Sequence, residues 1–149
     1  SPKCALLVCE KLRELENVVG ENYKFVHKID NVIFSHGGLH RGFVQVHLPR
    51  VNDIRNIDFA IDVVNHLSAK ELWSDWSPLW FRPQYSKGSR TFYPRKLLQV
   101  VGHTPVRKVE KFNNIISCDS FSTYPNGTPY GEQMFTIVDT ETWKFFTVA

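Results

Sequence analysis

Two histidine turns carry the residue types most able to do chemistry: Ser35-His36-Gly37-Gly38 closes one apolar run and Gly102-His103-Thr104-Pro105 closes another. Imidazoles presented at two strand ends can share one metal ion, and neutral imidazole suits zinc, iron and manganese. Between them, Ser77-Pro78-Leu79-Trp80-Phe81-Arg82-Pro83 places an arginine, whose planar fork holds a phosphoryl group by parallel hydrogen bonds. Together these residues predict phosphate-ester chemistry. Arg90 lies in the same longer excursion, Glu71 to Pro94, and is a second candidate for binding a phosphate. The flanking glycines remove bulk, so that backbone and substrate can approach the rings closely. His36 and His103 are 67 positions apart, so only neighbouring strands of one sheet can bring them together. A loop at the carboxyl end of a buried strand is where α/β folds place their ligands.

The elements that must position these groups read as follows. Ala5, Val8, Cys9, Leu12 and Leu15 recur at helical spacing, which predicts an amphipathic first helix. Tyr23 to Lys28 alternates like a strand, and Asn31 to His36 is a short buried strand emptying into the first histidine turn. From Asn52, the residues Ile54, Ile57, Ile61, Val64 and Leu67 predict a second helix behind an Asn or Asp cap. Glu71 to Pro94 is rich in Trp, Pro, Ser and Gly without a period, as in a long ordered excursion. Leu97 to Val101 is another buried strand. Strands are then expected at Ile115 to Asp119, Gln133 to Val138 and Trp143 to Val148, with a turn at Asp139 to Thr142, forming an antiparallel meander. The expected fold is α/β, one domain over residues 1–149, with a β-rich C-terminus.

At 149 residues, 42% hydrophobic and 22% charged, the chain is long enough to bury a core. No apolar stretch approaches the roughly 20 residues of a membrane helix, and the start lacks the regions of a signal peptide, so a soluble, cytoplasmic protein is expected. Cys4, Cys9 and Cys118 make no Cys-x-x-Cys pair and read as reduced core thiols. The Asn126-Gly127-Thr128 sequon then reads as turn chemistry. A net charge of +3 is too small to point to nucleic acid, yet from Arg82 to Lys108 every charged residue is basic. That span either draws anions to the site or is a solvated loop neutralised by acids elsewhere. Trp73, Trp76 and Trp80 either wall a substrate groove or, the favoured reading, pack the excursion down. Asp119 reads as a loop organiser near Gly102-His103, and His27, His40, His47 and His66 receive no role in the site.

Taken in order, Asn31 to Leu39, Ser77 to Pro83 and Gln99 to Val106 resemble the C-terminal motifs of the calcineurin-like metallophosphoesterases. Within that superfamily the chain is most similar to bacterial and phage serine/threonine protein phosphatases, along essentially its whole length. The family's upstream Asp-x-His, Gly-Asp-x-x-Asp-Arg and Gly-Asn-His-Glu or -Asp motifs have no counterpart here. Asn65-His66 imitates the last, but Val64 replaces its glycine and the pair follows His36 instead of preceding it.

The resemblance implies the C-terminal half of an α/β/β/α sandwich, belonging to a phosphatase longer by about 100 residues. It implies two divalent metal ions, manganese, iron or zinc, with His36 and His103 as ligands of one of them. Arg82, with Arg90 as the other candidate, would bind the phosphoryl oxygens of a phosphorylated protein or small phosphoester. An aspartate, an asparagine and a general-acid histidine from the missing half would complete the site, so the chain alone is expected to be inactive and to bind metal weakly. A dinucleoside-polyphosphate hydrolase of the same superfamily and a noncatalytic anion-binding module are the alternatives. A half sandwich also exposes sheet surface, which predicts self-association.

Overall fold

The structure, a computed structural model, describes residues 24–149 and, before them, positions 10, 11, 14, 15, 17, 18 and 20. Of the expected first helix, the described positions 10, 11, 14 and 15 are helical, and positions 17 and 18 beyond it are helical too. Leu15, which its spacing assigns to the apolar side, is exposed. Cys4, Ala5, Val8, Cys9 and Leu12 lie outside the described residues.

Five strands form the frame: β1 (Val26–Ile29), β2 (Val32–Ser35), β3 (Leu98–Val101), β4 (Glu110–Phe112) and β5 (Ile115–Ser117), in the order β1-β2-β3-β5-β4. β2, β3 and β5 are parallel neighbours, and β1 and β4 close the edges antiparallel. The parallel centre follows from composition, since β3 is buried at every position and both faces must be covered. Alternation sorts the side chains. Ile33 faces one layer, whereas Val32, Leu98, Val100 and Ile116 face the other.

Helices cover the first face. The helix α1 (Arg41–His47) begins where His40 accepts the Phe43 N–H on Nδ1 at 3.2 Å. In α2 (Ile57–Asn65) the cap is Asn56, accepting the Phe59 N–H at 3.1 Å. The helix expected from Asn52 therefore starts later, after a 3-10 turn at Val51–Arg55. Ser68 and Glu71 cap each other around the short α3 (Ala69–Leu72). Phe43, Val44, Ala60, Ile61, Val64 and Leu72 pack with Val26, Ile33, Phe92 and Leu97 into the main core. Asn65 fastens α2 to the sheet, since its amide accepts from and donates to the backbone of Val26, both at 2.9 Å. His66 caps the end of the same helix, so Asn65-His66 is structural.

On the other face lies a hairpin, β6 (Phe135–Val138) with β7 (Phe145–Val148), a separate two-stranded sheet. The expected C-terminal meander does not form. Ile115, Ile116 and Ser117 are all buried and belong inside the parallel sheet, whereas β6 and β7 alternate in exposure, as a hairpin covered on one side does. Val138, Trp143 and Phe145 lay the hairpin on Val32, Leu98, Val100 and Ile116. The Asp139–Thr142 turn is held by the Asp139 carboxylate, which accepts from the Glu141 and Thr142 N–H groups at 3.0 Å each. The architecture is mixed α/β in three layers: helices, five-stranded sheet, hairpin. Among the described residues no helix is long and apolar enough to cross a membrane.

Candidate functional site

β2 and β3 run parallel with Ser35 opposite Val101, so the residues just beyond them emerge side by side. The Gly102 N–H donates to the His36 carbonyl at 3.0 Å, extending the ladder past the last paired residues. His103 then adopts a left-handed backbone, φ 57°, which turns the chain sharply at the end of β3. The result brings His36 Nε2 to 2.9 Å from His103 Nδ1, with ring centroids 4.7 Å apart.

Two nitrogens at right angles around a cation, each about 2.1 Å from it, stand about 3 Å apart. The spacing of the two rings fits that arrangement. Burial, then the positive Arg82 and then His36 push the His103 pKa down, while Asp119 opposes them. His103 is therefore biased toward the neutral form that ligates metals. Among the described residues no three His, Cys, Asp or Glu side chains gather around one spot, so His36 and His103 meet there without a third donor from that set.

Arg82 is half-buried beside them. Its Nη1 donates to the His103 carbonyl and to Thr104 Oγ1, both at 3.2 Å. The Gln84 side chain, whose Nε2 donates to Ser117 Oγ at 2.9 Å, lies beyond Thr104. Thr104 and Gln84 are thus part of the support, and the only sequence signal for them is adjacency to His103 and Arg82. A groove of about 710 Å³ contains His103, Arg82 and Arg90, with Trp76, Trp80 and Tyr85 along its wall and Asp75 as its carboxylate. Lys87, Arg95, Lys96, Arg107 and Lys108 lie outside that lining. Among the described residues none of the cations from Arg82 to Lys108 forms an ion pair with a carboxylate; Lys96 and Arg107 lie over the rings of Tyr93 and Tyr130 instead.

Three sequence readings change here. The glycines after His36 admit protein and not ligand: a Cβ on Gly37 would meet the Phe81 carbonyl at 2.7 Å, and one on Gly38 the Pro83 ring at 2.7 Å. The tryptophans are not packed away, since Trp73, Trp76 and Trp80 remain 76%, 52% and 41% exposed. Asp119 does organise its loop, yet its carboxylate accepts from Ser122 Oγ at 2.8 Å and only its backbone carbonyl turns to Val106. Cys118 is a free, half-buried thiol, its pKa raised by burial and by Asp119. The sequon is a turn in which Asn126 Oδ1 accepts from the Thr128 N–H at 3.1 Å.

No known family profile and no curated protein matches the chain. Among solved structures, a cold-active protein tyrosine phosphatase is 24% identical over 65% of this chain and 33% of its own, with a TM-score of 0.40. The cold-active protein-tyrosine phosphatase of the psychrophile Shewanella sp. and a point mutant of such an enzyme are each 18% identical, over 85% of this chain and 43% of theirs, with TM-scores of 0.44. The chain spans less than half the length of these structures, and at such overlap the reading of the site rests on its own geometry.

Proposed function

We propose that these residues are the histidine half of a two-metal phosphoesterase centre, in which His36 and His103 hold one divalent ion and Arg82 binds the phosphoryl group. The observation that carries the reading is the 2.9 Å meeting of two imidazole nitrogens from neighbouring strand ends, beside a fixed guanidinium. Manganese, iron or zinc suits the donors, and when bound such ions polarise a phosphoryl oxygen and activate water. His36 and His103 supply neutral nitrogens. Arg82, engaged through Nη1, keeps its remaining donors for equatorial phosphoryl oxygens, and Arg90 adds positive charge along the groove. The sequence resemblance implies that the carboxylate ligands and the general acid would be supplied by a further part of a longer, cytoplasmic phosphatase with the α/β/β/α sandwich. Phosphomonoesters are the substrate class; a serine/threonine phosphoprotein or a dinucleoside polyphosphate is what the sequence resemblance implies.

The test is release of inorganic phosphate from p-nitrophenyl phosphate and from glycerol phosphate by the natural full-length protein loaded with Mn²⁺. Activity should vanish on chelation and fall in His103→Ala and His36→Ala by more than the 10–100-fold typical of losing an outer-shell partner. Activity that survives both overturns the reading. One observation favours a second reading: with two donors and no third among the described residues, the groove can serve as an anion-binding surface without hydrolysis. Phosphate binding without any metal-dependent turnover is its signature.

A further inference from the structure

The aromatic wall of the groove has no role in holding a metal or a phosphoryl group, and its rings are oriented by contacts with other rings. Trp76 lies against the His40 ring, 4.8 Å between centroids and 33° between planes, and the buried His40 in turn meets the edge of Phe81 at 4.8 Å. Trp80 stands edge-on to His103 at 5.6 Å and is braced by Trp73 at 5.3 Å. Each indole is thus oriented by ring contacts, yet Trp76 and Trp80 remain 52% and 41% exposed and line the same groove that holds Arg82 and Arg90. Oriented, exposed indoles on the same lining as two arginines are stacking platforms. Asp75, on the same lining, offers an acceptor to an amino or hydroxyl group and repels a second phosphate.

We infer that the groove takes phosphate esters whose leaving group carries an aromatic ring, the ring lying against Trp76 and Trp80 while the phosphate meets Arg82. This rests on the phosphoesterase reading for the fate of the ligand, and it narrows the leaving group away from the aliphatic side chains of serine and threonine. The ring can belong to an aryl ester or to a nucleotide base.

Binding to the metal-free 149-residue chain separates these cases, read from the indole N–H signals by nuclear magnetic resonance. The probes are phenyl phosphate, adenosine 5′-monophosphate, glycerol phosphate and inorganic phosphate. An aromatic ester should bind about tenfold more tightly than glycerol phosphate and shift Trp76 and Trp80 but not Trp143, with phenyl phosphate favoured for an aryl ester and the nucleotide for a base. Trp80→Leu and Trp76→Leu should remove the preference and leave inorganic phosphate binding, whereas Trp80→Phe retains it. Equal affinity for aromatic and aliphatic esters, a preference that survives both leucine variants, or no binding of any probe overturns the inference. Because no metal is present, failure of hydrolysis in the full-length protein leaves this result standing, and equal binding here leaves the hydrolysis test standing.

Discussion

Gly37 donates its backbone N–H to the carbonyl of Pro78 at 2.6 Å, joining the first histidine turn to the excursion that carries Arg82. Gly38 repeats the connection one residue on, to Phe81 at 2.8 Å. A methyl group on Gly37 would sit 2.7 Å from the Phe81 carbonyl and 3.0 Å from that of Pro78, and neither atom belongs to a flexible side chain. Gly37→Ala should therefore push the excursion off the sheet and lower stability by about 1–3 kcal/mol, read as a lower urea midpoint. Gly102→Ala is the control, because its nearest contact would be an ordinary 3.6 Å. Equal midpoints for the two variants would show that the close approach is not needed.

Gln99 is the buried polar residue on the helix side of β3. Its Oε1 accepts the Leu39 N–H at 2.9 Å, and its Nε2 donates to the carbonyls of Leu39 and Phe92 at 3.1 and 3.4 Å. The Leu39 carbonyl also accepts from the Phe92 N–H at 2.7 Å, so the group with most to lose is the Leu39 N–H. Gln99→Met keeps the volume and removes the bonds. It should cost about 1–3 kcal/mol, the cost of leaving a buried donor unpaired, in a chemical denaturation experiment. A neutral result would mean that another acceptor reaches Leu39.

Where burial imposes a pattern, the sequence announces it. Val32-Ile33-Phe34-Ser35 and Leu98-Gln99-Val100-Val101 are mostly apolar because a central strand is covered on both faces, and the residues that leave them are therefore readable as neighbours. The juxtaposition of His36 and His103 follows from those runs. What stayed hidden depends on partners far along the chain. β4 is exposed at all its positions and carries no alternation. The helix α1, Arg-Gly-Phe-Val-Gln-Val-His, contains a glycine and two valines and is held by the His40 cap and the burial of Phe43 and Val44, not by propensity. The tryptophans could not be sorted between core and groove, because their orientation is set by ring contacts with His40 and His103 that no local pattern encodes.

His40 makes the fold sensitive to acid. Burial, and secondarily the charge of Arg90, push its pKa below the ordinary value of 6.5. The unfolded chain therefore takes up a proton at a higher pH than the folded one, so this contribution to stability is complete above about pH 6.5 and is lost as pH falls toward the lower, folded-state pKa. Protonation also removes the Nδ1 acceptor that caps α1. Urea midpoints measured from pH 7.5 down to 5 should fall, and His40→Asn, which keeps a capping oxygen without a proton to gain, should flatten that slope. An identical slope in the variant would assign the pH dependence to other groups.

The hairpin gives the last expectation. Its inner side chains reach the sheet, but Phe135 with Val148 and Ile137 with Phe146 form two cross-strand pairs on the opposite face, 63% and 42%, 55% and 59% exposed. Phe121 extends the patch, its ring 4.9 Å from that of Phe135. Five large apolar side chains gathered on a two-stranded sheet exceed the scattered exposure of a soluble monomer, and such faces are covered by another surface. For the isolated chain the surface at hand is a second copy. Sedimentation should show association that grows with protein concentration, and Ile137→Lys, at an exposed position of β6, should return the chain to a monomer without lowering its unfolding free energy by more than about 0.5 kcal/mol. A wild-type chain that stays monomeric over the same range would mean that the patch tolerates water.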